Sequence, residues 1–143
     1  MNKSIRIGGA SGFWGDSYRA TEQLIQDTTL DFIVYDYLAE ITMSIMARAR
    51  AKSPSAGYAT DFIDAVIKPY IKRISTHNTR LISNAGGVNP EKCAEVISEL
   101  VKDLQLNLKV SCITGDDLMG SAQEIKNMNC KEMFSDIKFP ELD

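Results

Sequence analysis

The chain has 143 residues and a mass of 15.9 kDa, and its 44% hydrophobic and 24% charged residues are typical of one globular domain. Its formal net charge is −3 and it has no basic stripe, so nucleic acid has little electrostatic reason to bind. Its apolar runs are too short to span a bilayer, and no signal-peptide pattern opens the chain. Three widely spaced cysteines, Cys93, Cys112 and Cys130, predict neither a disulfide framework nor a zinc site, which favours a cytoplasmic location.

The first half of the chain predicts two strands, each followed by a helix. Residues 4–7 form a short β-prone run, and helical spacing over 16–27 predicts a helix with Asp16 or Ser17 as its cap. Residues 31–35 form a β-prone run that is continuously apolar after Asp31, as expected for a strand buried on both faces. The next helix is expected to end at Ser53-Pro54. Its buried face is predicted to contain Leu38, Ile41, Ile45, Met46 and Ala49.

The second half predicts two more strands and three helices. Residues 60–74 have helical spacing, and Pro69 is expected to kink that helix. A strand over 80–83 leads to a helix that begins at Asn89 as cap and Pro90 as first residue. A fourth strand is predicted over 108–114, followed by a last helix that reaches about residue 128.

This alternation predicts an α/β fold, a three-layer Rossmann-like domain with a mostly parallel sheet of about four strands. The domain is expected to cover residues 1–128, followed by a polar tail over 129–143.

Four polar or glycine-rich patches follow the predicted strands. They begin at Gly8, Tyr35, Ser83 and Thr114. Because the carboxyl ends of parallel strands share one edge of a sheet, and open α/β folds bind ligands there, we expect the patches to form one site.

The first patch offers backbone amides to an anion. Gly8, Gly9, Ser11 and Gly12 are predicted to hold a phosphate or carboxylate, and the alternative is a tight turn without a ligand. Trp14 follows and is either a wall for ligand stacking or a hydrophobic plug.

The acidic residues are candidates for catalysis. Asp36, Glu40, Asp116 and Asp117 could act as acids and bases or bind a divalent cation, and the alternative is helix capping. If these carboxylates converge, their mutual repulsion is expected to raise the pKa of some of them or to recruit a metal ion. The sequence does not indicate which metal would bind or whether one is required.

The third patch combines amides and glycines. Asn84, Gly86, Gly87 and Asn89 are predicted to orient a substrate, and the alternative is a capped loop. His77 precedes the third strand on the opposite edge, which disfavours a Ser-His-Asp mechanism.

A dinucleotide site is a second hypothesis. The segment 10–15 is an imperfect glycine frame, and Asp36 lies where an acid would bind a ribose hydroxyl. An NAD(P)-dependent oxidoreductase is therefore an alternative, although Phe13 and Trp14 are bulky and no Tyr-x-x-x-Lys pair is present.

These motifs together resemble the N-terminal region of the acyclic terpene utilisation family (AtuA-like proteins). The similar segments are Arg6 to Asp16, Leu30 to Met43, Asn84 to Pro90 and Gly115 to Leu118. The resemblance implies a role in the catabolism of citronellol and geraniol, with an acyl-CoA or a branched carboxylate as the substrate. It does not define a reaction or a cofactor.

Family members are usually longer than this chain. The resemblance therefore implies an incomplete N-terminal region, which could need a second subunit or a missing C-terminal region as partner. A non-enzymatic subunit is thus the third hypothesis.

Overall fold

The computed structural model describes residues 4–26, 29–135 and 137–138. The chain divides into two compact units, Met1–Ile113 and Thr114–Asp143. The first unit combines a parallel sheet with helices, so the chain has the α/β class that the sequence predicts. The division into a domain and a tail at residue 128 stays a prediction.

The sheet has three parallel strands in the order β1-β2-β3: β1 Ile7–Ser11, β2 Phe32–Tyr35 and β3 Arg80–Ser83. The last two lie where the sequence predicts them. The first lies further along, because the glycine segment itself pairs with β2. Gly8 lets α1 (Ala20–Leu24) approach this strand, since a Cβ on Gly8 would lie 3.0 Å from a methyl carbon of Leu24.

The remaining helices of the first unit are α2 Glu40–Lys52, α3 Lys68–His77 and α4 Pro90–Asp103. A π-helical segment, Phe62–Ile67, runs directly into α3. The sequence predicts one helix with a kink at Pro69; the structure has a wide π-helical turn just before this proline, where the Lys68 amide bonds to the Ile63 carbonyl. A proline has no amide to continue a regular ladder, so the irregularity falls beside it.

The helix α1 is shorter than the predicted 16–27. Ser17 accepts a hydrogen bond from the Ala20 amide at 3.2 Å, which fits its predicted role at the helix start. The other predicted cap, Asp16, instead accepts a hydrogen bond from the Gly12 amide, so it closes the preceding loop.

The two sides of the sheet differ in burial. The side that we call the covered face presents Ala10, Ile33 and Tyr35 to the core. Both crossovers move the chain in the same direction across the sheet, and right-handed crossovers then place their helices on the same side. The opposite side, which we call the open face, contains Ile7, Gly9, Phe32, Val34, Arg80 and Ile82.

The core lies between the covered face and the helices. It includes Ile25 of the α1 end, Met46 of α2, and Phe62, Val66 and Ile71 of the π-helical segment and α3. The predicted buried face of α2 is wrong at two positions, Ile41 and Ile45, which are 70% and 49% exposed. The buried stripe instead runs through Met46, flanked by half-buried Thr42, Met43 and Ala49.

The predicted fourth strand is absent, since residues 108–114 form no strand in the structure. The apolar side chains of this region nevertheless alternate: Leu104, Leu106, Leu108 and Val110 pack against the core, and the residues between them are exposed. The alternation of apolar residues therefore results from burial of one side of a segment that is not paired with any strand. Alternation predicts which side chains are buried, but it does not ensure that the backbone joins a ladder.

The second unit contains a short 3₁₀ turn, Met119–Ser121, and the helix α5, Ala122–Asn127. Asp117 accepts a hydrogen bond from the Met119 amide at 3.0 Å, so it caps this helical region as the sequence predicts. Lys131 and Lys138 form an isolated antiparallel bridge further along.

Candidate functional site

The carboxyl ends of all three strands are joined by hydrogen bonds. At the β1 end, the Ser11 hydroxyl donates to the Asp36 carbonyl at 3.2 Å, and the Asp36 amide donates to the Ser11 carbonyl at 3.3 Å. From the β3 end, Asn84 Nδ2 donates to Asp36 Oδ1 at 2.7 Å, while Asn84 Oδ1 accepts from the Tyr37 amide at 2.7 Å. We call this set of Ser11, Asp36, Tyr37 and Asn84 the rim. Three of the four predicted patches therefore meet.

Asp36 and Glu40 are the two acidic candidates near the rim. Both are exposed; Asp36 ends the β2 region, and Glu40 is the first residue of α2. Asn84 occupies one carboxylate oxygen of Asp36, and the second accepts no hydrogen bond from the part of the chain that the structure describes. Within residues 4–26, 29–135 and 137–138, no group of three or more His, Cys, Asp or Glu side chains could hold a metal ion.

The glycines predicted to bind an anion already make backbone contacts within the chain. Gly8 and Gly9 lie within paired β1, and the Gly12 amide is bonded to the Asp16 carboxylate at 2.9 Å. An anion at Gly12 would have to displace a carboxylate that already occupies the amide. The helix that follows, α1, begins only at Ala20 and has five residues, so its start does not continue the loop as the predicted helix would.

Trp14 crosses from the first loop to the segment before the π-helical turn. Its indole Nε1 donates a hydrogen bond to Asp61 Oδ1 at 2.5 Å, and the half-buried ring packs against the core. Asp61 is not among the residues that the sequence predicts for the site. In the sequence, this acidic residue only indicates the start of the helix that follows it. No local pattern indicates its hydrogen bond with Trp14, which lies 47 positions away.

The rim residue Tyr37 belongs to an aromatic cluster. Tyr35, Tyr37 and Phe62 pack edge to face with ring centroids 5.3–6.3 Å apart. Burial raises the pKa of Tyr37 to about 12, and the nearby negative charge of Asp61 adds to the effect. The Tyr37 phenol is therefore neutral over the physiological pH range.

The remaining residues of the third patch build the scaffold. Asn89 Nδ2 donates to the carbonyls of Pro54 and Ala56 at 2.9 and 2.7 Å, so its side chain holds the loop after α2 and does not cap α4. Gly87 has a φ of +55°, and a Cβ there would lie 2.2 Å from Met46 Sδ. A Cβ on Gly86 would lie 2.8 Å from the Pro90 Cα. Packing alone explains both glycines.

Asp116 and Asp117 belong to the second unit. Asp117 bonds to the Met119 amide, as the capping alternative expects, and both residues stay predictions as catalytic groups. His77 is the last residue of α3 and lies before β3, on the amino side of the strand, as the sequence predicts.

All three cysteines are free. Burial raises the pKa of the Cys93 thiol to about 11, so this thiol is protonated and unreactive at neutral pH. Among the described residues, no helix has both the length and the apolar character that a membrane span requires.

The chain was compared with protein families. A family model described as "Acyclic terpene utilisation family protein AtuA" matches residues 5–141. Searches of curated proteins and of solved structures found no match.

Proposed function

Because this chain belongs to the acyclic terpene utilisation family, we propose that its rim binds the polar end of a branched acyclic terpenoid. The observation that carries the proposal is the exposed Asp36 carboxylate, which Asn84 and the strand ends fix in place. Its second oxygen is available to accept a hydrogen bond from a ligand.

The charge around the rim indicates which polar group is bound. The carboxylates of Asp36, Asp16 and Glu40 lie on the loops and the helix start that follow β1 and β2, and the Asp61 carboxylate accepts the hydrogen bond from Trp14 of the first loop. A free anion would be repelled there, and the Gly12 amide that could have compensated is bonded to Asp16. A hydroxyl that donates to Asp36 fits better than a carboxylate. We therefore expect an alcohol at this position.

Catalysis at this site would use the Asp36 carboxylate. A carboxylate that accepts a proton from a hydroxyl acts as a general base, and Glu40, at the start of the helix that follows β2, is the candidate for the accompanying acid. The half-buried Trp14 ring, which follows the first loop, supplies apolar surface for a branched hydrocarbon chain.

Calorimetric titration of the chain with geraniol, its acid and the CoA thioester of that acid tests this proposal. Asp36→Asn should weaken binding of the alcohol by about tenfold or more, because a hydrogen bond to a charged acceptor is lost, and should improve binding of the acid. Asp64→Asn is the matched control, since Asp64 is exposed and pairs only with Lys68 on the helix surface. Equal affinities for the alcohol in the two variants would contradict the assignment of Asp36.

The dinucleotide-binding alternative is tested with the same material. The Gly12–Asp16 bond occupies an amide that a pyrophosphate would need, and no observation in the described segments favours this alternative. Titration with NADH, with Trp14 as the energy-transfer donor, would support it only if emission is quenched.

A further inference from the structure

The open face of the sheet is apolar and bare. Ile7 and Ile82, on its two edge strands, are 63% and 53% exposed, and Val34 between them is half-buried. Gly9, also on this face, would have nothing within 4 Å of an added Cβ. Parallel sheets occur almost only with both faces covered, because their strands are apolar on both sides. Among the residues that the structure describes, no helix is packed on this face as on the covered face.

The size of the open face limits what can cover it. Three strands spaced about 4.8 Å apart present a strip about 10 Å wide, and the four residues of β2 and of β3, each rising about 3.3 Å, make it about 13 Å long. A second copy packed through this strip alone would bury far less than the roughly 800 Å² per partner of a stable dimer. The strip matches one α-helix, whose diameter with side chains is about 10 Å.

The charge on the open face indicates which polar side chain a covering helix would carry. The Arg80 guanidinium lies over the Phe32 ring, 5.5 Å from its centroid, at one edge of the strip. This cation has no ion-pair partner among the residues that the structure describes. A covering helix that shields the ring from water would lower the local dielectric, so a carboxylate at its border would pair well with Arg80.

We propose that the open face binds one amphipathic helix of a partner protein, with an apolar stripe over Ile7, Val34 and Ile82 and an acidic residue beside Arg80. This docking surface does not depend on the rim, because it lies on the side of the sheet and the rim lies at the strand ends. If the chain functions with a second subunit, this face is where we expect that subunit to bind.

Nuclear magnetic resonance titration with a synthetic helical peptide tests the proposal. The peptide carries leucines at i, i+3, i+4 and i+7 and one flanking glutamate, and a scrambled peptide of the same composition is its control. We expect amide shifts confined to the three strands. Ile82→Lys should weaken binding about tenfold or more, because one buried aliphatic contact is replaced by a charge. Ile45→Lys, at an isoleucine of α2 that is 49% exposed against 53% for Ile82, should not weaken it.

Charge reversal tests the acidic contact. Arg80→Glu should lose affinity for the glutamate peptide and regain it when that glutamate is replaced by lysine. Ile7→Lys, on the other edge strand, serves as the second apolar variant if Ile82→Lys does not fold. Three results would overturn the proposal: no shifts at millimolar peptide, shifts centred on α2, or self-association of the chain that Ile82→Lys abolishes. The last result would assign the face to a second copy.

Discussion

Gly87→Ala is expected to be strongly destabilising, because the loop after β3 leaves no space for a methyl group. The residue has a φ of +55°, and an added Cβ would lie 2.2 Å from Met46 Sδ and 2.7 Å from the Gly57 carbonyl oxygen. The left-handed conformation costs a non-glycine residue about 1 kcal/mol. Overpacking against a buried methionine and a backbone oxygen adds about 1–3 kcal/mol.

A loss of about 3 kcal/mol should lower the Tm by roughly 10 °C in a chain of this size. Circular dichroism melting checks this value, with Gly9→Ala as the matched control. Gly9 has no heavy atom within 4 Å of an added Cβ and no positive φ, so its substitution should change stability by less than about 0.5 kcal/mol. If the two variants melt together, the packing explanation of Gly87 is wrong, and a ligand role for this glycine gains support.

Three other changes test separate parts of the structure. Asn89→Ala should cost about 1–2 kcal/mol in urea unfolding, since the carbonyls of exposed Pro54 and half-buried Ala56 lose their donor, whereas Asn107→Ala, at an exposed position, should be neutral. Burial raises the pKa of Tyr35 to about 12. The stability that this phenol contributes is therefore complete below pH 10, the ordinary pKa of tyrosine, and is lost as the pH rises from 10 to 12. Urea midpoints measured over this range should fall less in Tyr35→Phe than in the unsubstituted chain, and Tyr18→Phe, at an exposed tyrosine, should not differ from it. Asp61→Ala should shift Trp14 emission to longer wavelength by freeing the indole, and unchanged emission, equal to that of Asp64→Ala, would contradict the Trp14–Asp61 contact.

The sequence predicted the central strands because their signals are local. The run 32–35 is continuously apolar and is followed by Asp36, and Asn89-Pro90 marks a helix start that the structure has at Pro90. The meeting of Ser11, Asp36 and Asn84 followed from one topological rule, that the carboxyl ends of parallel strands share an edge.

Other features depend on tertiary contacts that no local pattern reports. The β1 strand includes Gly8 and Gly9, which have low strand propensity, because Leu24 packs closely on Gly8. Residues 104–110 alternate like a strand but remain unpaired. The exposure of Ile41 and the bond between Trp14 and Asp61 likewise depend on how distant segments are placed, so the sequence alone could not predict them.

The central claim is that loops distant along the chain form one binding rim. Its most direct test is a titration of the isotope-labelled chain with a terpenoid alcohol, followed at the backbone amides. We expect the amides of Ser11, Asp36 and Asn84 to shift together with one dissociation constant. Independent shifts at these three positions, or shifts confined to other surfaces, would contradict it.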